Sequence, residues 1–320
     1  MTAPRPRIAL VMGDPSGIGP EVIAKTLALP ATLAACRAFV IADARIIARG
    51  AEAAGVTLPP RMELIDLKHC PPEEAAFGRA TARTGRAAGE ALEFAVRMAQ
   101  NGDVDGIVYA PLHKRALHEA GYGFDDELHL LAHWLGCEAF GEINVLDRLW
   151  TSRVTSHIGL ARVADELSVE RVLAAIRLIH RERRRAGTAM PLIAVAAFNP
   201  HAGEGGLFGP EEDAVIAPAV ARARAEGIEC DGPIAADTVF VRARQREFDA
   251  VVTMYHDQGQ IAMKLLGFER GVTLAGGLPV PITTPAHGTA HDIAGRGTAN
   301  PGALQAALGL AVRMVLAIEH

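Results

Sequence analysis

Three histidines stand where a metal-binding or catalytic site could form. They are His157, His201 and His256, and each follows an apolar, strand-like segment and precedes a glycine by two or three residues. Side chains at the carboxyl ends of parallel strands converge on the crevice in which ligands bind. Three neutral imidazoles would leave a divalent ion with its full charge and with open positions for substrate oxygens. Because the intervals between them are long, the alternative of three unrelated, hydrogen-bonded histidines stays open.

Three glycine-rich segments could bind a ligand through their backbone. Residues 13–21 (GDPSGIGPE) follow an apolar run and begin a helical pattern, and they match neither the Walker loop nor the GxGxxG fingerprint. Residues 199–206 (NPHAGEGG) could orient a ligand or a metal-bound histidine. Residues 287–301 combine glycines, small residues and hydroxyls that would let the chain wrap a flat ligand. The alternatives are a strand–helix turn, a surface loop and a connecting loop.

Lys264 is a candidate for proton transfer. It lies one or two helical turns beyond the segment YHDQG at residues 255–259. A lysine near a metal ion and the positive ring of a cofactor would have a lowered pKa, so it could exchange protons near neutral pH. Lys114, which follows another strand-like run, is a second candidate of the same kind. A solvated surface charge is the alternative interpretation for both.

The elements that must position these residues alternate between strand and helix patterns. This alternation predicts an α/β fold with a largely parallel sheet. Strands are predicted for residues 7–12, 38–41, 104–109, 143–146, 192–198 and 250–255. Helices are predicted for residues 21–29, 89–99, 168–185, 211–226 and from 301 to the end.

Composition excludes several classes of protein. The chain has 320 residues, half of them hydrophobic, which allows one large domain or two of ordinary size. Its net charge of −5 without a basic block argues against nucleic-acid binding. No segment approaches the length of a membrane span, and the first apolar run is too short for a signal peptide, so we expect a cytoplasmic protein. The four separated cysteines predict free thiols, with a disulfide or zinc–thiolate site as the alternative.

Several motifs together resemble a known family. Residues 17–21 (GIGPE) and 287–301 are similar to two loops of the isocitrate/isopropylmalate dehydrogenase superfamily, in which the second loop surrounds the NAD adenosine. The chain resembles, within it, the 4-hydroxythreonine-4-phosphate dehydrogenase family of vitamin B6 (pyridoxine) biosynthesis. The motifs that carry this resemblance are MGDPSGIGPE, APLHK, NPHAGEGG, ADTVF, MYHDQG and HGTA–DIAG, in this order along nearly the whole chain.

The resemblance implies an architecture. We expect an α/β protein of two α/β/α domains with a cleft between them, as in isopropylmalate dehydrogenase. A discontinuous cofactor-side domain would comprise residues 1–127 and 263–320, and residues 128–262 would form a metal-binding and dimerisation domain. The expected partners are a small-molecule substrate and a second copy of the chain in a homodimer with shared active sites. No nucleic acid or membrane is expected to bind.

The resemblance also implies two cofactors. One divalent metal ion per site, Zn²⁺ or else Mg²⁺, Mn²⁺ or Co²⁺, would be held by His157, His201 and His256, with one of the three contributed by the partner subunit. The second cofactor would be NAD rather than NADP. The residues expected to bind it are Gly17, Gly19, Gly288, Thr289, Ala290, Asp292 and Ile293.

The implied reaction is oxidation of a small hydroxy acid, followed by loss of CO2 from the resulting β-keto acid. Lys264 matches the substrate lysine of the family and is expected to supply the proton. Asp237 and Asp257 match acidic positions of the same pocket. The rival from another functional class is an inactive ligand- or metal-binding regulator on an enzyme fold.

Departures from the family concern the groups that hold the substrate. Glu127 and Leu128 stand where the family has a histidine and a threonine, and Thr273 and Ile282 replace an asparagine and an arginine. A lost arginine removes a bidentate partner for phosphate, and a carboxylate repels a phosphate dianion. We therefore expect an unphosphorylated substrate, such as the cis-dihydrodiol of an aromatic dicarboxylate of the terephthalate type. A dehydrogenase for 4-phosphothreonate or 4-phosphoerythronate is a further alternative.

Overall fold

The computed structural model describes residues 5–60, 62–124 and 126–318, so the predicted domain ends at residues 1 and 320 lie outside the described residues. Eleven strands and twelve helices are described in these ranges. The first part of the chain contains β1 (Arg7–Val11), α1 (Gly19–Leu27), α2 (Pro30–Ala35), β2 (Arg37–Ala42), α3 (Ala44–Ala54), β3 (Glu63–Asp66), α4 (Ala82–Gln100), β4 (Gly106–Tyr109), α5 (Lys114–Glu119) and α6 (Glu127–Leu135).

The second part of the chain holds the remaining elements. They are β5 (Gly141–Leu146), β6 (Leu149–Arg153), α7 (Val163–Glu166), α8 (Val169–Arg185), β7 (Ile193–Ala196), α9 (Ala217–Ala225), β8 (Cys230–Ile234), α10 (Ala236–Arg244), β9 (Ala250–Thr253), α11 (His256–Gly267), β10 (Val272–Gly276), β11 (Ile282–Pro285) and α12 (Gly302–Ile318). Short 3₁₀ turns occupy Pro72–Glu74, Leu160–Arg162, Pro200–Glu204 and Phe268–Arg270, and a π-helical turn, Glu212–Ile216, precedes α9.

The chain forms two compact units, of which unit 1 comprises Met1–Ala139 and Val272–His320. Its strands follow the order β3-β2-β1-β4-β11-β10. All neighbours are parallel except β10, which runs antiparallel to β11. Residues 8–11 of the central strand β1 and the whole of β4 are buried, as expected when helices cover both faces of a parallel sheet.

Unit 2 comprises Phe140–Gly271. Its strands follow the order β5-β6-β9-β7-β8, and the pairs β6–β9, β9–β7 and β7–β8 are parallel. Strand β5 forms an antiparallel pair with β6. All four residues of β7 and all four of β9 are buried. The centre of this sheet is therefore dry and rigid, and the carboxyl ends of β6, β9 and β7 lie side by side.

These observations confirm the predicted α/β fold. All six predicted strands and all five predicted helices are present, with ends shifted by a few residues and with the helix predicted at 211–226 beginning in the π-helical turn. Strands β3, β6, β8, β10 and β11 were not predicted. All five carry polar residues, glycine or proline, as in LWTSR, CDGPI and VTLAG, which obscure the apolar pattern. The domain division predicted at residues 127/128 and 262/263 stays a prediction.

The cysteine prediction is confirmed, because all four thiols are free. Burial raises the pKa of Cys36 and of Cys70 to about 11, so both stay protonated and unreactive at neutral pH. Among the described residues, no helix combines the length and apolar character needed to cross a membrane. The cytoplasmic location stays a prediction.

Candidate active site

The three candidate histidines follow three adjacent parallel strands of unit 2. His157 comes four residues after the end of β6, His201 five residues after β7, and His256 begins α11 three residues after β9. Since β9 lies between β6 and β7, the strand order places all three segments at one edge of the sheet. This is the edge at which open parallel sheets bind ligands.

His157 and His256 share one cavity. Their ring centroids are 5.7 Å apart, with an angle of 42° between the ring planes. The cavity has a volume of about 410 Å³, enough for a small organic acid with its first hydration shell. Its lining consists of Thr155, Ser156, His157, Ile158, Leu160, Val163, Tyr255, His256 and Asp257.

Hydrogen bonds tie the strand ends together beneath this pair. The backbone N–H and the hydroxyl of Thr155 both donate to the carbonyl of Met254, at 3.1 and 2.8 Å. Gln258 accepts from the N–H of Met254 at 2.7 Å and donates through Nε2 to the carbonyl of Ala197 at 2.8 Å. The segments after β6, β9 and β7 are therefore hydrogen-bonded to one another. These bonds fix the positions from which the histidine-bearing segments start.

The tautomer of His256 suits metal binding. Its Nδ1 lies 2.6 Å from Oδ1 of Asp257. An ionised carboxylate can only accept a hydrogen bond, so Nδ1 carries a proton, and in the neutral ring Nε2 keeps its lone pair. A carboxylate bonded to the far nitrogen of a ligand histidine is a common arrangement around metal ions and strengthens the ligand. The residues present therefore fit a divalent ion at this pair.

His201 is not among the residues that line the cavity shared by His157 and His256. Its side chain is 67% exposed, with Nδ1 3.7 Å from Oε2 of Glu204 and the ring 6.1 Å from that of Phe208. Within the part of the chain that the structure describes, no group of three or more His, Cys, Asp or Glu side chains is arranged to hold a metal ion. One chain thus brings together two of the three predicted ligands, and the three-histidine site stays a prediction.

Two of these histidines have unusual backbone conformations. His157 has φ = 50°, and His201, Ala202 and Gly203 have consecutive φ values of 51°, 55° and 79°. A residue other than glycine in the left-handed region costs about 1–3 kcal/mol and persists only where its surroundings impose it. Such residues cluster at functional sites, which favours a functional role for both loops.

Glu212 organises the loop that carries His201. It is buried, and its Oε1 accepts from the backbone N–H of Phe198 and of Asn199 at 2.8 and 2.7 Å. Its Oε2 accepts from Nδ2 of Asn199 at 2.9 Å, and a Cβ on Gly203 would lie 2.8 Å from this oxygen. The close approach explains the glycine at 203. Sequence reasoning missed Glu212 because it lies in a helical pattern eleven residues beyond His201.

The predicted catalytic side chains are exposed. Lys264 lies on α11 two helical turns beyond His256, and Asp237 lies in the first turn of α10. Neither is among the residues that line the cavity, whereas Asp257 lines it and orients His256. Lys114 begins α5 in unit 1. The catalytic roles of these residues stay predictions.

In unit 1 the two candidate cofactor segments contact each other directly. Ile18 donates its backbone N–H to the carbonyl of Thr289 at 3.0 Å. A Cβ added to Gly17 would lie 2.9 Å from both Cβ and the carbonyl oxygen of Thr289, so only glycine allows this approach. Gly19 begins α1 and packs even more closely, because an added Cβ would lie 2.3 Å from the carbonyl oxygen of Met12. The glycines of the first segment thus serve packing between loops.

A buried ion pair holds the far end of the second segment. Glu21 is fully buried, and its Oε1 accepts from Nζ of Lys25 and from the N–H of Ala299, both at 2.8 Å. Lys25 also donates to the carbonyls of Gly297 and Ala299 at 2.9 and 2.7 Å. This pair closes the segment onto α1, although it was not among the predicted site residues.

Of the remaining predicted cofactor residues, Gly288 directly precedes the first attachment point, Thr289, and Ala290, Asp292 and Ile293 lie between the two attachment points. Gly288 and Asp292 are exposed, while Ala290 and Ile293 are half-buried and joined by a turn with a 3.1 Å hydrogen bond. His291 between them stacks on His113 and lies 3.3 Å from Oδ2 of the buried Asp14. The segment therefore presents an exposed backbone and a carboxylate on a fixed base. Binding of NAD there stays a prediction.

The four divergent substrate positions lie in unit 1. Glu127 begins α6 and is mostly buried, with Oε2 3.9 Å from Nζ of Lys114. Leu128 beside it is half-buried. Thr273 pairs with Thr284 between β10 and β11, and Ile282 is fully buried at the start of β11. Their role in substrate choice stays a prediction.

Comparison with known proteins identifies relatives over the full length of the chain. The family model of the pyridoxal phosphate biosynthetic protein PdxA matches residues 32–311. A Pseudomonas aeruginosa protein is 50% identical over 98% of each chain; it is named as a second 4-hydroxythreonine-4-phosphate dehydrogenase, and the name marks that assignment as provisional. A D-threonate 4-phosphate dehydrogenase of Cupriavidus necator is 42% identical over 95% of each chain.

A solved crystal structure has a similar fold over nearly the whole chain. The crystal structure of 4-hydroxythreonine-4-phosphate dehydrogenase from Klebsiella pneumoniae superposes with a TM-score of 0.87 at 37% sequence identity. The superposition covers 98% of this chain and 99% of that one. The fold and the order of the motifs therefore agree with those of these relatives.

Replacing Glu212 by alanine is expected to lower the free energy of unfolding by about 2–3 kcal/mol, because two backbone N–H groups lose their acceptor. Chemical unfolding monitored by circular dichroism measures this loss. Glu211→Ala is the matched control, since Glu211 accepts from the side chain of Asn199 and, among the described residues, from no backbone N–H, and its loss should stay below about 1 kcal/mol. Equal losses for the two variants would contradict the role given to Glu212.

Proposed function

Because this chain belongs to the PdxA family of dehydrogenases, we propose that it catalyses the NAD- and divalent-metal-dependent oxidation of a small hydroxy acid, followed by decarboxylation. The observation that carries the proposal is the pair His157 and His256 facing one cavity at the carboxyl ends of parallel strands. Two imidazoles at this distance, one of them oriented by a carboxylate, are suited to holding a cation.

The histidines would hold the metal ion as neutral ligands. His157 and His256 supply two nitrogens, and the resemblance assigns His201 as the third, with one of the three contributed by a second copy of the chain. When bound, a divalent ion supplies Lewis-acid polarisation of the substrate hydroxyl and of the ketone formed from it. Imidazole ligands favour zinc or a similar transition metal over magnesium. Asp257 keeps His256 in the tautomer that can ligate.

Lys264 would move the proton. It is on the same face of α11 as His256, since residues eight apart on a helix lie nearly one above the other. A primary amine on that face can protonate the carbon or oxygen of the substrate after CO2 has left. Asp237, in the first turn of α10, would add a carboxylate whose negative charge complements the positive charge of Lys264.

Unit 1 would bind NAD on the segment between Gly288 and Ile293. The contact between Gly17 and Thr289 and the Glu21–Lys25 pair give this segment a fixed base, which lowers the entropy cost of binding a dinucleotide. The exposed carboxylate of Asp292 would repel the additional phosphate of NADP. This charge supports NAD as the cofactor.

A second copy of the chain is the proposed partner. On α11, Ile261, Leu265 and Phe268 beyond its end are exposed by 59%, 84% and 53%. Leu207 and Phe208, in the loop after His201, are exposed as well. Large exposed apolar side chains concentrated on one unit are typical of a protein interface, and a homodimer would bury them.

A second candidate function is oxidation of an unphosphorylated substrate, such as an aromatic cis-dihydrodiol. The relatives named above act on phosphorylated hydroxy acids, according to their names. In this chain the Glu127 carboxylate stands at a position that the resemblance assigns to a phosphate-binding histidine, and Ile282 is an apolar side chain in place of an arginine. Both changes oppose a phosphate dianion. The rival of an inactive regulator is disfavoured because both candidate cofactor sites are retained.

A panel of substrates tests this choice. We expect NADH to form, measured by its absorbance, with unphosphorylated hydroxy acids or cis-dihydrodiols and only weakly with 4-phosphohydroxythreonine or D-threonate 4-phosphate. Glu127→Gln should raise kcat/KM for the phosphate esters by about tenfold, because it removes one repulsive charge, while Glu119→Gln, in exposed α5, should not. A strong, saturating rate of the parent protein with 4-phosphohydroxythreonine would refute the unphosphorylated substrate.

Replacing His201 by alanine tests the metal site. The variant should lose bound metal, measured by elemental analysis of the purified protein, and should lose turnover, because a three-ligand site loses one ligand. A chelator should reduce the turnover of the parent in the same way, and Zn²⁺ or Co²⁺ should restore it. His118→Ala, at an exposed position of α5, is the control. Full metal content together with parental turnover in His201→Ala would exclude the assignment.

Lys264→Ala tests the proton donor. It should leave metal content and NAD affinity unchanged, the latter measured by fluorescence titration, and lower kcat by a factor of about 10²–10⁴, the usual worth of general acid catalysis. Lys68→Ala, on a surface loop, serves as the control. If Lys264→Ala behaves like the parent, the role passes to Lys114, and the same measurements on Lys114→Ala decide that case.

A further inference from the structure

We propose that Arg153 is a positioning residue that fixes the His157 loop and α11 relative to each other, so that His157 and His256 hold the distance a cation requires. This inference rests on the proposed metal-dependent function. It concerns a buried arginine that none of the candidate chemistry above uses.

Arg153 ends β6 and its side chain is only 5% exposed. The guanidinium donates to three different groups. One is Oε2 of Glu142 at 2.5 Å, the second is Oδ1 of Asn144 at 2.9 Å, and the third is Oγ of Ser156 at 2.9 Å. Glu142 and Asn144 are on the neighbouring strand β5, whereas Ser156 lines the cavity and directly precedes His157. The arginine thus connects the sheet to the histidine loop.

The same network reaches α11. Oδ1 of Asn144 also accepts from Nε2 of Gln260 at 2.6 Å. Gln260 lies one helical turn after His256 and one turn before Lys264, on the same face of α11. The amide oxygen of Asn144 therefore accepts hydrogen bonds both from Arg153 at the end of β6 and from Gln260 on α11. Since Asn144 is buried, with 5% exposure, this junction is shielded from competing water.

The conformation of His157 explains why such a constraint is needed. Its φ of 50° is unfavourable for a side chain with a Cβ and must be imposed by neighbouring contacts. Two residues before His157, the hydroxyl of Thr155 donates to the carbonyl of Met254. One residue before His157, the hydroxyl of Ser156 accepts from Arg153. The Arg153–Ser156 bond thus holds the residue directly before the strained His157. Its loss would loosen the backbone that orients the His157 ring towards His256.

A purely structural role of the buried ion pair is the competing explanation. Glu142 is largely buried, with 23% exposure, so removing Arg153 also leaves a poorly solvated carboxylate and costs stability by itself. The two explanations differ for Ser156→Ala. This substitution keeps the Arg153–Glu142 pair and breaks only the link to the His157 loop.

Metal affinity distinguishes them. Titration of the metal-free protein with Co²⁺ by calorimetry, with the visible Co²⁺ absorption as a report on ligand geometry, is carried out for the parent and four variants. They are Ser156→Ala, Arg153→Leu, Arg153→Lys and Arg162→Leu. Thermal unfolding of each metal-free variant reports on the fold. Arg162→Leu is the matched control, since Arg162 is exposed and pairs with Glu166 on the surface.

We expect Arg153→Leu to weaken Co²⁺ binding by about 10–100-fold, the range found when groups behind metal ligands are removed. Ser156→Ala should weaken it by about 3–10-fold at an unchanged melting temperature, with an altered absorption spectrum. Arg153→Lys should bind Co²⁺ more tightly than Arg153→Leu but more weakly than the parent, because a single ammonium group cannot donate to three acceptors in different directions. Arg162→Leu should match the parent.

The outcomes separate the inference from the function on which it rests. A parent protein that binds no divalent ion removes the proposed function and the inference with it. A parent that binds Co²⁺, with Ser156→Ala and Arg153→Lys retaining its affinity and spectrum, refutes the role of Arg153 alone. If Arg153→Leu does not fold, Ser156→Ala and Arg153→Lys decide the question.

Discussion

The candidate active site depends on the hydrogen bonds that join the carboxyl ends of three parallel strands. Parallel pairing alone aligns β6, β9 and β7, but it does not fix the residues that follow them. Gln258 does so by bonding the segment after β9 to that after β7, and Thr155 bonds the segment after β6 to the same point. With these segments fixed, strained residues such as His157 become tolerable, and two rings can face one cavity.

Unit 1 solves a similar problem by different means. Its long segment before α12 has little regular structure, and it is held at Thr289 by close packing against Gly17 and at Ala299 by the buried Glu21–Lys25 pair. The first segment is held in turn by Arg49, whose guanidinium donates to the carbonyls of Pro15 and Ala75. Loops that must bind a ligand are thereby given the rigidity of the sheet.

The sequence predicts the fold class, six of the strands and the position of each histidine after a strand, because apolar periodicity and glycine placement are local properties. It cannot predict that β9 lies between β6 and β7, since this order arises from pairing between segments that are 57 residues apart for β7 and β9 and 100 residues apart for β6 and β9. For the same reason the structural roles of Glu212 and Arg153 cannot be predicted from the sequence. Each bonds to a strand end or a neighbouring strand that only the register defines. The role of His201 as a third ligand stays a prediction, because His201 is not among the residues that line the cavity shared by His157 and His256.

The choice of an amide at position 258 has a consequence for acid sensitivity. A glutamine side chain donates and accepts hydrogen bonds but does not titrate. The Gln258 hydrogen bonds that link the strand ends therefore do not depend on pH. Imidazoles lose their affinity for cations once they are protonated. Acid would therefore weaken cation binding by His157 and His256 while leaving the Gln258 link between the strand ends intact.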